Sequence, residues 1–114
     1  MSQNKKYALA LDLKNDDVLI QEYIAYHQKV WPEIKKSITD AGIVNMEIFR
    51  FTNRLFMIME VDETFSFECK AKMDADNPKV QEWEELMWKY QDAIPGAKDG
   101  EKWVMMEKIF DLIA

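Results

Sequence analysis

Apolar residues alternate with small or polar ones near the start of the chain. Tyr7, Leu9, Leu11 and Leu13 share one side, and Ala8, Ala10 and Asp12 share the other, which predicts a strand over residues 7–13. The period then lengthens. Ile20, Tyr23, Ile24, His27, Trp31, Ile34 and Ile38 recur at alternating spacings of three and four, so they share one helix face. Asp16 and Asp17 suit the N-terminus of that helix and Gly42 its end, after about Ala41. Pro32 falls inside it and removes a backbone donor, so the helix is expected to kink there or to split after Trp31. Alternation returns over 43–51 and 55–61. Thr52-Asn53-Arg54 between them predicts a tight antiparallel hairpin.

A short helix is expected over 65–73. Asp76-Asn77-Pro78 can cap a further helix over 79–93, with Val80, Trp83, Met87, Tyr90 and Ile94 on its inner stripe. Residues 95–100, with Pro95, Gly96 and Gly100, read as a loop, and 103–110 as a closing strand. The order strand, helix, strand, strand, helix, strand is that of the split βαβ, an α+β ferredoxin-like architecture with a four-stranded antiparallel sheet and helices on one face.

Both faces of that sheet are apolar. Leu55, Met57, Met59 and Val61 lie on one side of their strand, with Phe56 and Ile58 on the other. Trp103 and Met105 oppose Val104, Met106 and Phe110 in the last strand. Helices cover one face only. Long loops could cover the other, but two sheets packed across a two-fold axis do so more simply, so a homodimer through the open sheet face is expected, a dimeric α/β barrel.

The composition narrows the chemistry. With 114 residues and no linker or low-complexity stretch, the chain reads as one domain over 1–114. A net charge of −6 disfavours nucleic acid or an anionic membrane as partner. One cysteine, Cys69, and one histidine exclude an internal disulfide and make a zinc site improbable, so no metal is expected. The polar start from Ser2 to Lys6 and the absence of a long apolar run point to a cytoplasmic protein without a leader. The eight methionines read as plastic core and interface filling, and Glu82, Glu84 and Glu85 as the wet face of their helix.

The single His27 is the unusual residue, because it lies within an apolar stripe. One reading makes it a core histidine satisfied by internal hydrogen bonds. The other makes it a proton-transfer group, since it titrates near neutral pH. Tyr23 stands one turn before it and Trp31 one turn after, while Tyr26 points away. An aromatic wall with a hydroxyl and an imidazole suits a small polyol.

Tyr23-x-x-x-His27, followed by Val30-Trp31-Pro32-Glu33, resembles the Tyr-x-x-x-His and Trp-Pro-Glu signature of the L-rhamnose mutarotase family. The likeness continues through Ala41-Gly42-Ile43-Val44-Asn45, resumes at Met87-Trp88-Lys89-Tyr90 and Pro95, and ends at Met106-Glu107-Lys108-Ile109-Phe110. It implies a cofactor-independent isomerase that interconverts the α and β anomers of a 6-deoxy-hexose as a ferredoxin-like dimer. The proton donor then falls on His27 and a sugar contact on Tyr23. In the rhamnose pattern a tyrosine stands where this chain has Met46, and a Trp-Trp pair where it has Met87-Trp88. Trp83 lies upstream as a replacement for part of that wall. Met46, Trp83, Met87 and Trp88 therefore join Tyr23 as expected substrate-binding residues. The departures bear on the identity of the sugar, L-rhamnose or L-fucose, more than on the chemistry.

Mutarotation opens the hemiacetal ring and recloses it on the other carbonyl face. A proton must reach the ring oxygen and another must leave the anomeric hydroxyl. An imidazole with a reference pKa of about 6.5 can serve in either direction. Asp12, Glu47 and Glu60 lie on strands as possible second groups, and none is assigned over water. Two other functions remain open on the residues alone: another dimeric α/β-barrel enzyme of the oxygenase type, and a sugar-binding module without catalysis.

Overall fold

The computed structural model describes residues 4–113, so the polar start at Ser2 and Gln3 lies outside it. The elements follow in the order β1 (Lys5–Leu13), α1 (Asp17–Gln28), α2 (Pro32–Asp40), β2 (Ile43–Phe51), β3 (Arg54–Val61), α3 (Phe67–Ala75), α4 (Pro78–Trp88), β4 (Gln91–Asp92) and β5 (Val104–Met105). Strand order is β2-β3-β1-β4, antiparallel throughout, with β5 also paired to β1. This is the ferredoxin-like α+β architecture that the sequence order predicts.

Local signals place the helix ends. The Asp16 carboxylate accepts from the backbone N–H of Val18 and Leu19 at 2.9 and 3.1 Å, starting α1. The helix breaks before Pro32, which lacks the N–H to continue the ladder. Trp31, forced out of the helical region by the following ring, sits at φ −57°, ψ 137°. Ser66 caps α3, and Asn77 caps α4 with Pro78 in its first turn.

Gly42 turns the chain from α2 into β2 at φ +99°, and a Cβ there would stand 2.7 Å from the Thr64 hydroxyl. β2 then carries a bulge between Ile43 and Asn45. The extra residue, Val44, resets the alternation, so that Ile43 and then Met46 and Ile48 all face the helices. Without it Glu47 and Phe49 would face inward.

Two expected elements are shorter than the pattern predicts. The last helix ends at Trp88 instead of continuing to Ala93. Tyr90 closes it with a tight turn to the Met87 carbonyl, and Gln91 and Asp92 pair with Leu13 and Asp12. The free edge of β1 offers ladder bonds that outweigh helix propensity. The closing strand spans only Val104–Met105, opposite Ala10 and Leu9, with one further bond from the Met106 N–H to the Ala8 carbonyl. Continuing that register would set Lys108 opposite Lys6, an unfavourable like-charge pair.

The helix-covered face carries the core. Leu13, Leu55, Ile20, Tyr23, Ile34, Trp83 and their neighbours form one buried cluster, and Leu9, Ile43, Met57, Met59 and Val61 a second. Ile38, Ile48 and Trp103 pack against both.

Candidate active site

The stripe of α1 carries Tyr23, buried at 3% exposure, and His27, half-buried one turn later. The His27 Nδ1 lies 2.9 Å from the Tyr23 carbonyl oxygen. A carbonyl can only accept, so Nδ1 carries the proton and donates it. The neutral ring then keeps its lone pair on Nε2. Burial pushes the His27 pKa down from its ordinary value, and the hydrogen bond to the Tyr23 backbone only partly offsets that. His27 is therefore neutral at pH 7, with a basic nitrogen at Nε2. Burial likewise pushes the Tyr23 phenol up, against a weaker lowering from Gln91, so it stays protonated.

Aromatic rings fix the imidazole. Tyr23 lies at 4.4 Å between centroids and tilted by 35°. The edge of Trp83 stands 5.6 Å away at 68°, and Trp31 packs on that indole in turn at 5.1 Å. Tyr26 does not point out to solvent. It packs edge-on against Trp83 at 6.3 Å and beside Tyr90 at 5.9 Å, bracing α4 from behind.

His27 opens into a cavity of about 910 Å³ between the helices and the sheet, toward the upper end of small-ligand pockets. Tyr23, Met46, Trp83 and Met87 line it with His27, joined by Gln91 and Trp103. Trp88 is not among the lining residues. It is 41% exposed, with the Lys102 ammonium 5.0 Å from its ring centroid. The i, i+4 spacing of Trp83 and Met87 turns both inward, and Trp88, the next residue, turns away. Trp83 thus supplies the indole wall beside the histidine.

The strand carboxylates stand elsewhere. Asp12 clamps Arg54 at 2.8 and 3.2 Å, Glu60 accepts from Asn4, and Glu47 sits opposite Ile58, all on the sheet face away from the helices. None lines the cavity. Gln91 is one lining residue that periodicity missed, because the stripe of α4 predicts helix at that position. Its place on β4 depends on pairing with the distant β1, which leaves no mark on the local pattern. Among the described residues no cluster of three or more His, Cys, Asp or Glu could hold a metal ion, and Cys69 is exposed on α3.

Fold and cavity together define a ferredoxin-like protein with a neutral histidine in an aromatic-walled pocket with room for a monosaccharide. The family model for L-rhamnose mutarotase matches residues 6–112, and the chain belongs to that family of isomerases. It is 44% identical over 110 residues to L-fucose mutarotase of Xanthomonas campestris, covering 95% of this chain and 88% of the relative. The crystal structure of an L-rhamnose mutarotase from Formosa agariphila superposes with a TM-score of 0.70 at 25% identity, covering 95% of this chain and 98% of that one. A dimeric ferredoxin-like protein from an uncultured marine organism shares the fold, with a TM-score of 0.55 at 12% identity and coverage of 97% and 93%.

Proposed function

We propose that this protein is an aldose mutarotase that interconverts the α and β anomers of a 6-deoxy-hexose, with His27 as the general acid–base. The observation that carries this reading is the free Nε2 of a neutral imidazole, held by the Tyr23 carbonyl in an aromatic cavity. Nε2 takes the proton of the anomeric hydroxyl as the bond from C1 to the ring oxygen breaks. The ring oxygen gains a proton from water. The aldehyde rotates about its C1–C2 bond, and the ring oxygen attacks the other face. The imidazolium then returns its proton to the new anomeric oxygen, and the ring oxygen releases its own to water. No net proton is consumed, and one group serves both directions. Tyr23, Met46, Trp83 and Met87 contact the sugar, the aromatic rings stacking on its C–H faces.

L-Fucose is the first substrate to test, ahead of L-rhamnose. The 44% identical relative is an L-fucose mutarotase, and Met46 and Met87 depart from the rhamnose pattern. NMR saturation transfer between the anomers of each sugar is the assay. We expect acceleration with at least one 6-deoxy-hexose and a drop of about 10²–10⁴-fold in His27→Ala. Acceleration that survives the substitution removes His27 from the chemistry. No acceleration with any aldose removes the mutarotase.

The same reading makes the protein a cytoplasmic homodimer, one domain per chain. Among the described residues no helix is long and apolar enough to cross a membrane. The open sheet face presents Phe49 at 51% and Phe51 at 81% exposure beside half-buried Phe56 and Ile58. Beyond β5, Ile109, Phe110, Leu112 and Ile113 are exposed too. A second copy of the chain is the occupant that covers this surface, and the dimeric neighbour with the same fold supports it.

A further inference from the structure

Gln91 is 7% exposed and lines the cavity. β4 holds it in place through the pairing of Gln91 with Leu13, and the preceding Tyr90 carbonyl accepts from the Lys14 N–H at 2.8 Å. Its Nε2 donates to the Tyr23 hydroxyl over a long 3.4 Å. Its Oε1 is buried and has no partner among the described residues. An orphaned carboxamide oxygen is costly in a core, and such groups persist where function uses them. The Tyr23 oxygen accepts from Gln91 through a lone pair, so its own O–H proton is free to point into the cavity. A phenol donor and an amide acceptor therefore stand side by side, next to the histidine that Tyr23 also positions. A sugar hydroxyl both donates and accepts, and this pair complements it.

We propose that Gln91 is a specificity-determining residue, whose carboxamide oxygen accepts a hydrogen bond from one ring hydroxyl of the sugar while its Nε2 keeps Tyr23 oriented as a donor. The proposal rests on the mutarotase reading. It assigns sugar selection to a side chain on β4, outside the helix motif that bears the histidine.

The test is anomeric exchange by wild type and Gln91→Met on L-fucose, L-rhamnose and the singly deoxygenated analogues of whichever sugar wild type prefers. Wild type is expected to lose about ten- to hundred-fold in kcat/KM on one analogue, the one that lacks the hydroxyl read by Gln91. Gln91→Met is expected to lose a similar factor on the parent sugar, mainly in KM, and nothing further on that analogue. An equal loss on every sugar would make Gln91 merely structural, and no loss would make it irrelevant; either overturns the proposal. If Gln91→Met does not fold, Gln91→Asn withdraws the carboxamide by one methylene and is read in the same way. A wild type inactive on all sugars would instead overturn the mutarotase reading itself, so the two failures are distinguishable.

Discussion

The two faces of the sheet are built from the same strands and similar residue types, yet they behave differently. On the helix-covered face Leu55, Met57, Met59 and Val61 are buried within the core, and Leu55, Met57 and Met59 also line the histidine cavity. On the other face Phe49 and Phe51 remain exposed, beside the Asp12–Arg54 pair and the separate carboxylates of Glu47 and Glu60. Apolar content alone therefore does not mark a site. The covered face has polar groups converging on a cavity, among them His27, Tyr23 and Gln91. The open face has apolar area and little polar convergence, which suits association more than chemistry.

Trp83 breaks this contrast most strongly. It is 8% exposed and touches His27, Trp31 and Tyr26 at once. Trp83→Ala should cost about 3–5 kcal/mol of stability and remove the wall beside the imidazole. Urea unfolding followed by circular dichroism reads the first effect, and the KM for the sugar reads the second. A midpoint unchanged in urea would mean that α4 and α1 are held together by something other than this indole.

The paired substitution Phe49→Glu, Phe51→Glu sharpens the contrast from the other side. Exposed positions like these should shift monomer stability by about 0.5 kcal/mol or less. Facing each other across a two-fold interface, the added carboxylates should dissociate the dimer. Sedimentation velocity at micromolar concentration should show wild type as a dimer and the variant as a monomer. If both sediment alike, the open face is not the interface.

The covered face was the more legible in sequence because its determinants are local. Pro32 splits the first helix where the missing N–H demands it, and Asn77-Pro78 opens α4 as a cap and first turn should. The histidine stripe follows from helical spacing alone. What stayed hidden depends on distant partners. The bulge at Val44 decides which side of β2 meets the helices, and it is a property of register with β3. Gln91 looks helical until the unpaired edge of β1 claims it. The short β5 likewise reflects which strand lies beside it, and the positions beyond it alternate no less well. Trp88 carried an expectation from motif resemblance that the i, i+4 geometry of Trp83 and Met87 redirects.

The smallest effect concerns pH, and it too should divide the faces. His27 is the chain's only histidine and belongs to the covered face. Its pKa is lowered by burial, so the folded protein resists a proton that the unfolded chain accepts from about pH 6.5 downward. The unfolded state then binds more protons, and stability falls with decreasing pH until the folded imidazole also titrates, below which the loss is complete. Above about pH 6.5 the group is neutral in both states and contributes no pH dependence. Activity follows the same group. The neutral base survives below pH 6.5, and the enzymatic rate should fall only as the pH crosses the depressed value. As the pH falls from about 6.5 toward the depressed value, the urea midpoint of wild type should decline while the exchange rate holds, the rate should fall only once the folded imidazole titrates, and the midpoint of His27→Gln should stay flat. A rate that falls with a midpoint above pH 6.5 would mean that the imidazole is stabilised as a cation, and that the ring is not the neutral base which the Tyr23 carbonyl and the aromatic walls create.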